Sequence, residues 1–266
     1  MSTARKPKPP QVQAATKGSH YLDEYDPTYP DSDGKPRADN TTQERWIATI
    51  KGGLDALLRD RQDVFVAADL LWYPVEGKPK IRRAPDALVA FGRPKGNRHS
   101  YKTWVEDGVA PHVVFEILSP GNTPLEMVRK LGFYERYGVE EYYMYDPDDG
   151  DFQGWIRTEG RLEPIPSPNG WTSPRLGVTF EAPPRKEALI VHTPDGGRFE
   201  PYLELYEDRE AERRRADRAE RERLQAERDR LHAEHERAQA ERERADAVAR
   251  AERLAARLKE LGLDDE

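Results

Sequence analysis

The chain has no cysteine and only three methionines in 266 residues. The lack of cysteine excludes disulfide cross-links, thiolate chemistry and cysteine-based metal sites. No stretch approaches the roughly 20 apolar residues that a bilayer-spanning helix needs. The first residues, MSTARKPKPP, lack the apolar core of a secretory signal. A cytoplasmic protein without a membrane partner is expected. There is no glycine-rich phosphate loop, and Ser119 lacks the Gly-x-Ser-x-Gly surroundings of a nucleophile elbow, so it reads as a turn residue. The six histidines show no metal-ligand spacing except His232/His235, which lie in a solvated repeat.

An excess of positive charge is absent too. The net charge is −7, and residues 207–261 hold 16 acidic and 16 basic side chains that cancel. Asp264, Asp265 and Glu266 add −3, which leaves residues 1–206 with 27 basic against 31 acidic groups, or −4. Such a body does not bind nucleic acid by bulk electrostatics; it needs a local basic patch or bound cations.

What is present divides into three parts, because with 36% apolar and 35% charged residues some of the chain must lie outside a packed core. Residues 1–39, rich in Pro, Asp, Ser and Lys, read as a flexible leader; residues 40–206 read as the folded domain; residues 207–266 read as a charged helical tail. In the domain, Asn40 or Thr41 can cap a helix whose stripe is Trp46, Ile47, Ile50, Leu54, Leu57 and Leu58, with Glu44 at the capping-box spacing from Thr41. The Gly52–Gly53 pair weakens that helix and invites close packing. Strand-like runs follow at 64–74, 84–92 and 112–120, then a helix from about Leu125 to Tyr137 ending at Gly138, then a strand at 140–147. Shorter strands are expected around 152–158, 176–181, 188–192 and 198–205. This order predicts an α/β fold: one mixed sheet with helices packed against it.

The tail repeats every seven residues, as AERERLQ, AERDRLH, AEHERAQ and AERERAD over 219–246. Glu220/Arg223, Glu227/Arg230, Glu234/Arg237 and Glu241/Arg244 stand at i,i+3. Arginine occupies every second core position of the repeat, so only Ala247, Ala251, Leu254, Leu258 and Leu261 form an apolar seam. The tail is either a solvated rod with an adhesive end or a weak coil that joins a second copy or another helix.

Two carboxylates sit in strands otherwise built for burial. Glu116 lies within Val113-Val114-Phe115-Glu116-Ile117-Leu118, and Asp86 follows Pro85 at the head of the preceding apolar run. A buried carboxylate without a partner is costly. Neighbouring strands are about 4.8 Å apart, so the two groups can converge on one cation. Paired oxygen ligands suit Mg²⁺ or Mn²⁺; the alternative is a structural carboxylate bonded to backbone or arginine. Lys130 shares a helix face with Met127, Tyr134 and Tyr137. It either snorkels, pairs with Glu126 at i,i+4, or reaches the Glu116 site to stabilise negative charge. The loop GRPKGNRHSYK at 92–102 offers Arg93, Lys95, Arg98 and Lys102 with His99 and Tyr101 between them, either to grip phosphate or as an ordinary solvated loop.

Taken together, Pro85-Asp86 before an apolar strand, FEILSP at 115–120, EMVRKLGFYERYGV at 126–139 and EEYYMYDP at 140–147 resemble the core of the Uma-two family of endonucleases. That family lies within the PD-(D/E)XK restriction-endonuclease-like superfamily, and the resemblance extends over about 44–205. It implies a restriction-endonuclease-like core and metal-assisted hydrolysis of DNA phosphodiesters. Asp86 and Glu116 match the metal-holding carboxylates. Leu118 stands where the motif lysine is usual, and Lys130 matches the lysine that this family carries on the following helix. Glu126 falls where the family usually shows Asp, and Asp69 and Glu44 are outer-ligand candidates. The competing expectation is a noncatalytic nucleic-acid- or protein-binding module that keeps the nuclease fold.

Overall fold

The structure, a computed structural model, describes residues 21–32, 34, 38–183 and 188–260. Helix α1, Thr41–Leu57, starts at Asn40, whose side chain accepts the Gln43 amide at 2.8 Å. The Gln43 side chain in turn accepts the Asp39 amide at 2.8 Å. The box is thus closed by Gln43 and not by Glu44, which is exposed. Ile50 and Leu54 of α1 are fully buried.

The expected single strand at 64–74 is two: β1, Val64–Ala67, and β2, Trp72–Tyr73. The break comes at Asp69, which adopts a left-handed φ of 49° and donates its amide to the Pro85 carbonyl at 3.0 Å. Aspartate tolerates this region better than the Val and Leu around it. Then come β3 (Ala87–Phe91), the short β4 (Tyr101–Lys102), β5 (Val113–Ile117), helix α2 (Pro124–Arg136) and β6 (Glu141–Asp146). Thr123 caps α2, Pro124 opens it, and Gly138 follows its end at φ 94°. Strands β7 (Asp151–Thr158), β8 (Arg161–Pro164), β9 (Thr179–Glu181) and β10 (Ile190–His192) complete the body before helix α3, Tyr202–Glu260. No strand forms at 198–205, because Pro201 cannot donate to a ladder and the charged repeat beyond it propagates helix.

The main sheet runs β1-β3-β5-β6-β7-β8. Its only parallel pair is β5–β6, and α2 is the crossover that a parallel pair requires. Side chains alternate across the sheet. Val113, Phe115 and Ile117 enter the cluster that packs on α1, so Val114 and Glu116 point to the other face, where Tyr134 of α2 joins Val114 and Tyr142. A polar residue at position 116 therefore faces α2 whatever else happens.

The leader reading fails for residues 21–32, which bond along the body. Leu22 N–H donates to the Asn97 carbonyl at 2.8 Å, Asp23 accepts the His99 amide at 2.8 Å, and the Tyr73 hydroxyl donates to the Pro30 carbonyl at 2.7 Å. Residues 1–20, 33 and 35–37 lie outside the described residues, as do 184–187 and Leu261 of the tail seam.

Chain contacts divide the molecule into Met1–Tyr202 and Leu203–Glu266. The second unit is α3, exposed along nearly all its described length. Within its repeat the described pairs are the Arg230–Glu234 ion pair and a His232–Glu236 contact, at i,i+4 and not the expected i,i+3. Among the described residues no helix is long and apolar enough to cross a membrane.

The two glycines of α1 give a stability prediction. A β-carbon built on Gly53 lies 2.2 Å from Phe199 Cγ, whereas one on Gly52 meets nothing within 4 Å. Gly52→Ala should stabilise by about 0.5–1 kcal/mol through helix propensity. Gly53→Ala should destabilise by about 1–3 kcal/mol through overpacking. Thermal melts of the two variants should move in opposite directions.

Candidate active site

The site is assembled from the ends of β3 and β5. In the antiparallel register Ala87 faces Phe115, so one step further Asp86 faces Glu116, on the α2 side of the sheet. The Ile117 amide donates to Asp86 Oδ2 at 2.6 Å, and the Ile117 carbonyl accepts Gln43 Nε2 at 2.7 Å. The two backbone groups of one residue, Ile117, thus tie the aspartate, β5 and α1 together.

Glu116 is 1% exposed. Its Oε2 accepts Lys130 Nζ at 2.8 Å, and its Oε1 accepts a short bond from the Tyr134 hydroxyl. Lys130 and Tyr134 are i,i+4 on α2, so a single helix face serves both oxygens. Lys130 forms no ion pair with Glu126; its partner is Glu116.

Burial, and then the neighbouring Glu116 charge, push the Asp86 carboxyl well above the usual carboxylate range; the Ile117 amide and Lys130 oppose this without cancelling it. Burial alone would lower the Lys130 ammonium, but the charge and hydrogen bond of Glu116, with the charge of Asp86, outweigh it and raise it. Burial and the Glu116 charge also push the Tyr134 phenol far up, which keeps it a proton donor to Glu116.

Glu141 shows what a structural buried carboxylate looks like here. It is fully buried, but the Tyr143 hydroxyl, the Ser173 hydroxyl and the Arg175 amide all donate to it. Asp86 and Glu116 instead oppose one another, an arrangement that a proton or a cation between them relieves.

Asp86 and Lys130 line an open cleft of about 820 Å³. Asp69 and Glu126 line it as well; Glu44 does not. Among the described residues no group of three or more His, Asp or Glu side chains is placed to hold a metal. The carboxylates that could hold a metal in this cleft are Asp86 and Glu116. That number fits Mg²⁺, which binds one or two carboxylates and leaves its other positions to water and phosphate.

The four cations of the 92–102 loop are not brought to the cleft, because each is engaged elsewhere. Arg93 pairs with Glu106 and Asp107, and Arg98 is buried against Glu106 with its guanidinium 3.8 Å from the Phe65 ring centroid. Lys102 is buried beside Asp23, and Lys95 Nζ donates to the Leu58 and Arg59 carbonyls at the end of α1.

Sequence reasoning missed the roles of Gln43 and Tyr134. Each carried a signal: Gln43 is three residues after the cap, and Tyr134 is one turn beyond Lys130 on its inward face.

The family described as "Putative restriction endonuclease" (Uma2) matches residues 22–183, more than half of the chain. The chain belongs to this family. Among solved structures, the Uma2 chain is similar to the crystal structure of "a putative nuclease belonging to DUF820" from Anabaena variabilis ATCC 29413. Identity is 13%, coverage is 54% of this chain and 77% of that one, and the TM-score is 0.40. No curated protein matches the chain.

The raised Asp86 group has a stability consequence. Its charged form is disfavoured in the fold, so no penalty exists below the unfolded value near 3.8. The penalty grows as pH rises from there to the folded value, then levels off. Asp86→Asn keeps an acceptor for the Ile117 amide and replaces a repulsion with an N–H donor to Glu116. In metal-free buffer at pH 7–8 the variant should melt higher, by on the order of 1 kcal/mol. Its advantage should disappear near pH 4, and a lower melting temperature at neutral pH would contradict the assigned repulsion.

Proposed function

We propose that the protein is a metal-dependent endonuclease that hydrolyses DNA phosphodiester bonds at Asp86, Glu116 and Lys130. The observation that carries this reading is the convergence of three side chains: Asp86 and Lys130 line one cleft, and Glu116 is buried behind them, opposite Asp86 across adjacent strand ends and 2.8 Å from the lysine ammonium. Membership of the Uma2 family supports nuclease chemistry in general. A noncatalytic module that keeps the fold draws no support from such a site, since its maintenance costs stability without binding anything.

In this reading Asp86 and Glu116 hold Mg²⁺ or Mn²⁺, which when bound supplies Lewis acidity toward the phosphoryl oxygen and lowers the pKa of a bound water. Tyr134 fixes one oxygen of Glu116 so that the carboxylate cannot rotate out of register. Lys130 lies between Glu116 and the open cleft, where its ammonium stabilises negative charge that develops on the substrate. Gln43 holds the Ile117 carbonyl and so keeps β5 in place beneath the substrate. Asp69 and Glu126, on the cleft walls, are outer groups that orient water.

The test is cleavage of supercoiled, linear duplex and single-stranded DNA by the full chain with Mn²⁺ or Mg²⁺. Wild type should cut at least one form and lose activity in chelator. Lys130→Met should slow cutting by about a hundredfold or more while Mn²⁺ still binds, and Tyr134→Phe should slow it less. Absence of metal-dependent cleavage on every form, by a folded preparation that binds Mn²⁺, would overturn the reading.

A further inference from the structure

With the 92–102 loop occupied elsewhere, the cleft needs another source of positive charge if it is to hold a polyanion, and its own lining supplies one. Lys80, Arg82, Arg83 and Arg129 line the same cleft as Asp86 and Lys130. Among the described residues none of the four has a carboxylate partner. Arg82 has only a 3.5 Å bond to the Tyr73 hydroxyl, and Arg83 donates to the Arg82 carbonyl with its guanidinium 5.3 Å from the Phe133 ring centroid. Several other cations of the body, such as Lys51, Arg61, Arg93 and Arg175, are neutralised by acids, whereas these four keep their charge open to the cleft.

We propose that Lys80, Arg82, Arg83 and Arg129 form a track that grips the phosphate backbone of a nucleic-acid strand on either side of the carboxylate pair. The proposal rests on the nuclease reading of the same cleft. Three physical points support it. Arginine suits phosphate because its planar fork presents paired donors, and Arg83 is already oriented by Phe133. Arg129 and Lys130, both on α2, line the same cleft, so a backbone gripped by the arginine lies within reach of the lysine. The cleft also carries Asp39, Asp69 and Glu126, which would repel a small free anion. A polymer can instead set its phosphates on the cations and leave its scissile group over the metal-binding pair.

The test is binding of labelled duplex DNA, single-stranded DNA and RNA of one sequence to the full chain. Anisotropy is read across a salt series in Ca²⁺, with inorganic phosphate as competitor. The triple variant Lys80→Gln/Arg82→Gln/Arg129→Gln alters exposed or half-buried side chains and spares Arg83, which packs on Phe133. A control, Arg59→Gln/Arg161→Gln, removes exposed cations elsewhere. The track predicts that the triple variant lowers the slope of log affinity against log salt by about 2–3. The control should lower it by much less, and matched concentrations of inorganic phosphate should compete poorly. The arm bound most tightly identifies the polymer. An unchanged slope in a triple variant that melts like wild type would overturn the track, as would equal losses in variant and control. Wild-type cleavage in Mn²⁺ would still uphold the nuclease reading in that event. A lowered slope without any cleavage would uphold the track and remove the nuclease reading.

Discussion

The repulsion between the Asp86 and Glu116 carboxylates is the constraint around which the rest of the cleft is organised. Two acidic groups face each other across adjacent strands, in a part of the sheet otherwise filled by Val, Leu, Phe and Ile. Burial strengthens their interaction because little water screens it. The fold answers with Lys130 and Tyr134 on Glu116 and with the Ile117 amide on Asp86, yet the aspartate still stays well above the ordinary carboxylate range. A proton on Asp86, or a cation between the two groups, meets what remains. The reading as a metal site rests on the geometry of that pair beside Lys130 and the cleft.

The scaffold holds this arrangement with few parts. Strand alternation sends residue 116 toward α2, and the parallel β5–β6 pair obliges a helix to cross that face. One turn of α2 then supplies both donors to Glu116. On the opposite face α1 reaches the same strand end through Gln43, whose side chain joins the cap of α1 to the Ile117 carbonyl. Glu141 differs in its partners: burial raises its carboxyl too, but three protein donors and no second carboxylate face it.

Much of this was legible in the sequence. A lone acid inside Val-Val-Phe-Glu-Ile-Leu, a second acid at the head of the preceding run, and a lysine on an aromatic helix face are local anomalies, and each marks its position without knowledge of the fold. The mixed sheet and long charged helix followed from periodicity in the same way. What was not legible depended on tertiary partners. The 64–74 run gave no sign that Asp69 would break it. Residues 21–32 look like linker by composition, but Tyr29 finds Tyr73 and Trp104 only in the folded body. The basic loop at 92–102 looked like a phosphate grip because nothing in its own run shows that the chain turns back to set Glu106 and Asp107 on Arg93 and Arg98, or brings Asp23 to Lys102. Of the cations that do line the cleft, Lys80, Arg82 and Arg83 lie together in KPKIRR at 78–83, and Arg129 lies far from them in sequence on α2.

The most direct test of the central claim is Mn²⁺ titration calorimetry on the full chain beside Asp86→Ala and Glu116→Ala. The account predicts binding by the wild-type protein that is lost in both variants. Equal binding by all three proteins, or none by the folded wild type, would contradict it.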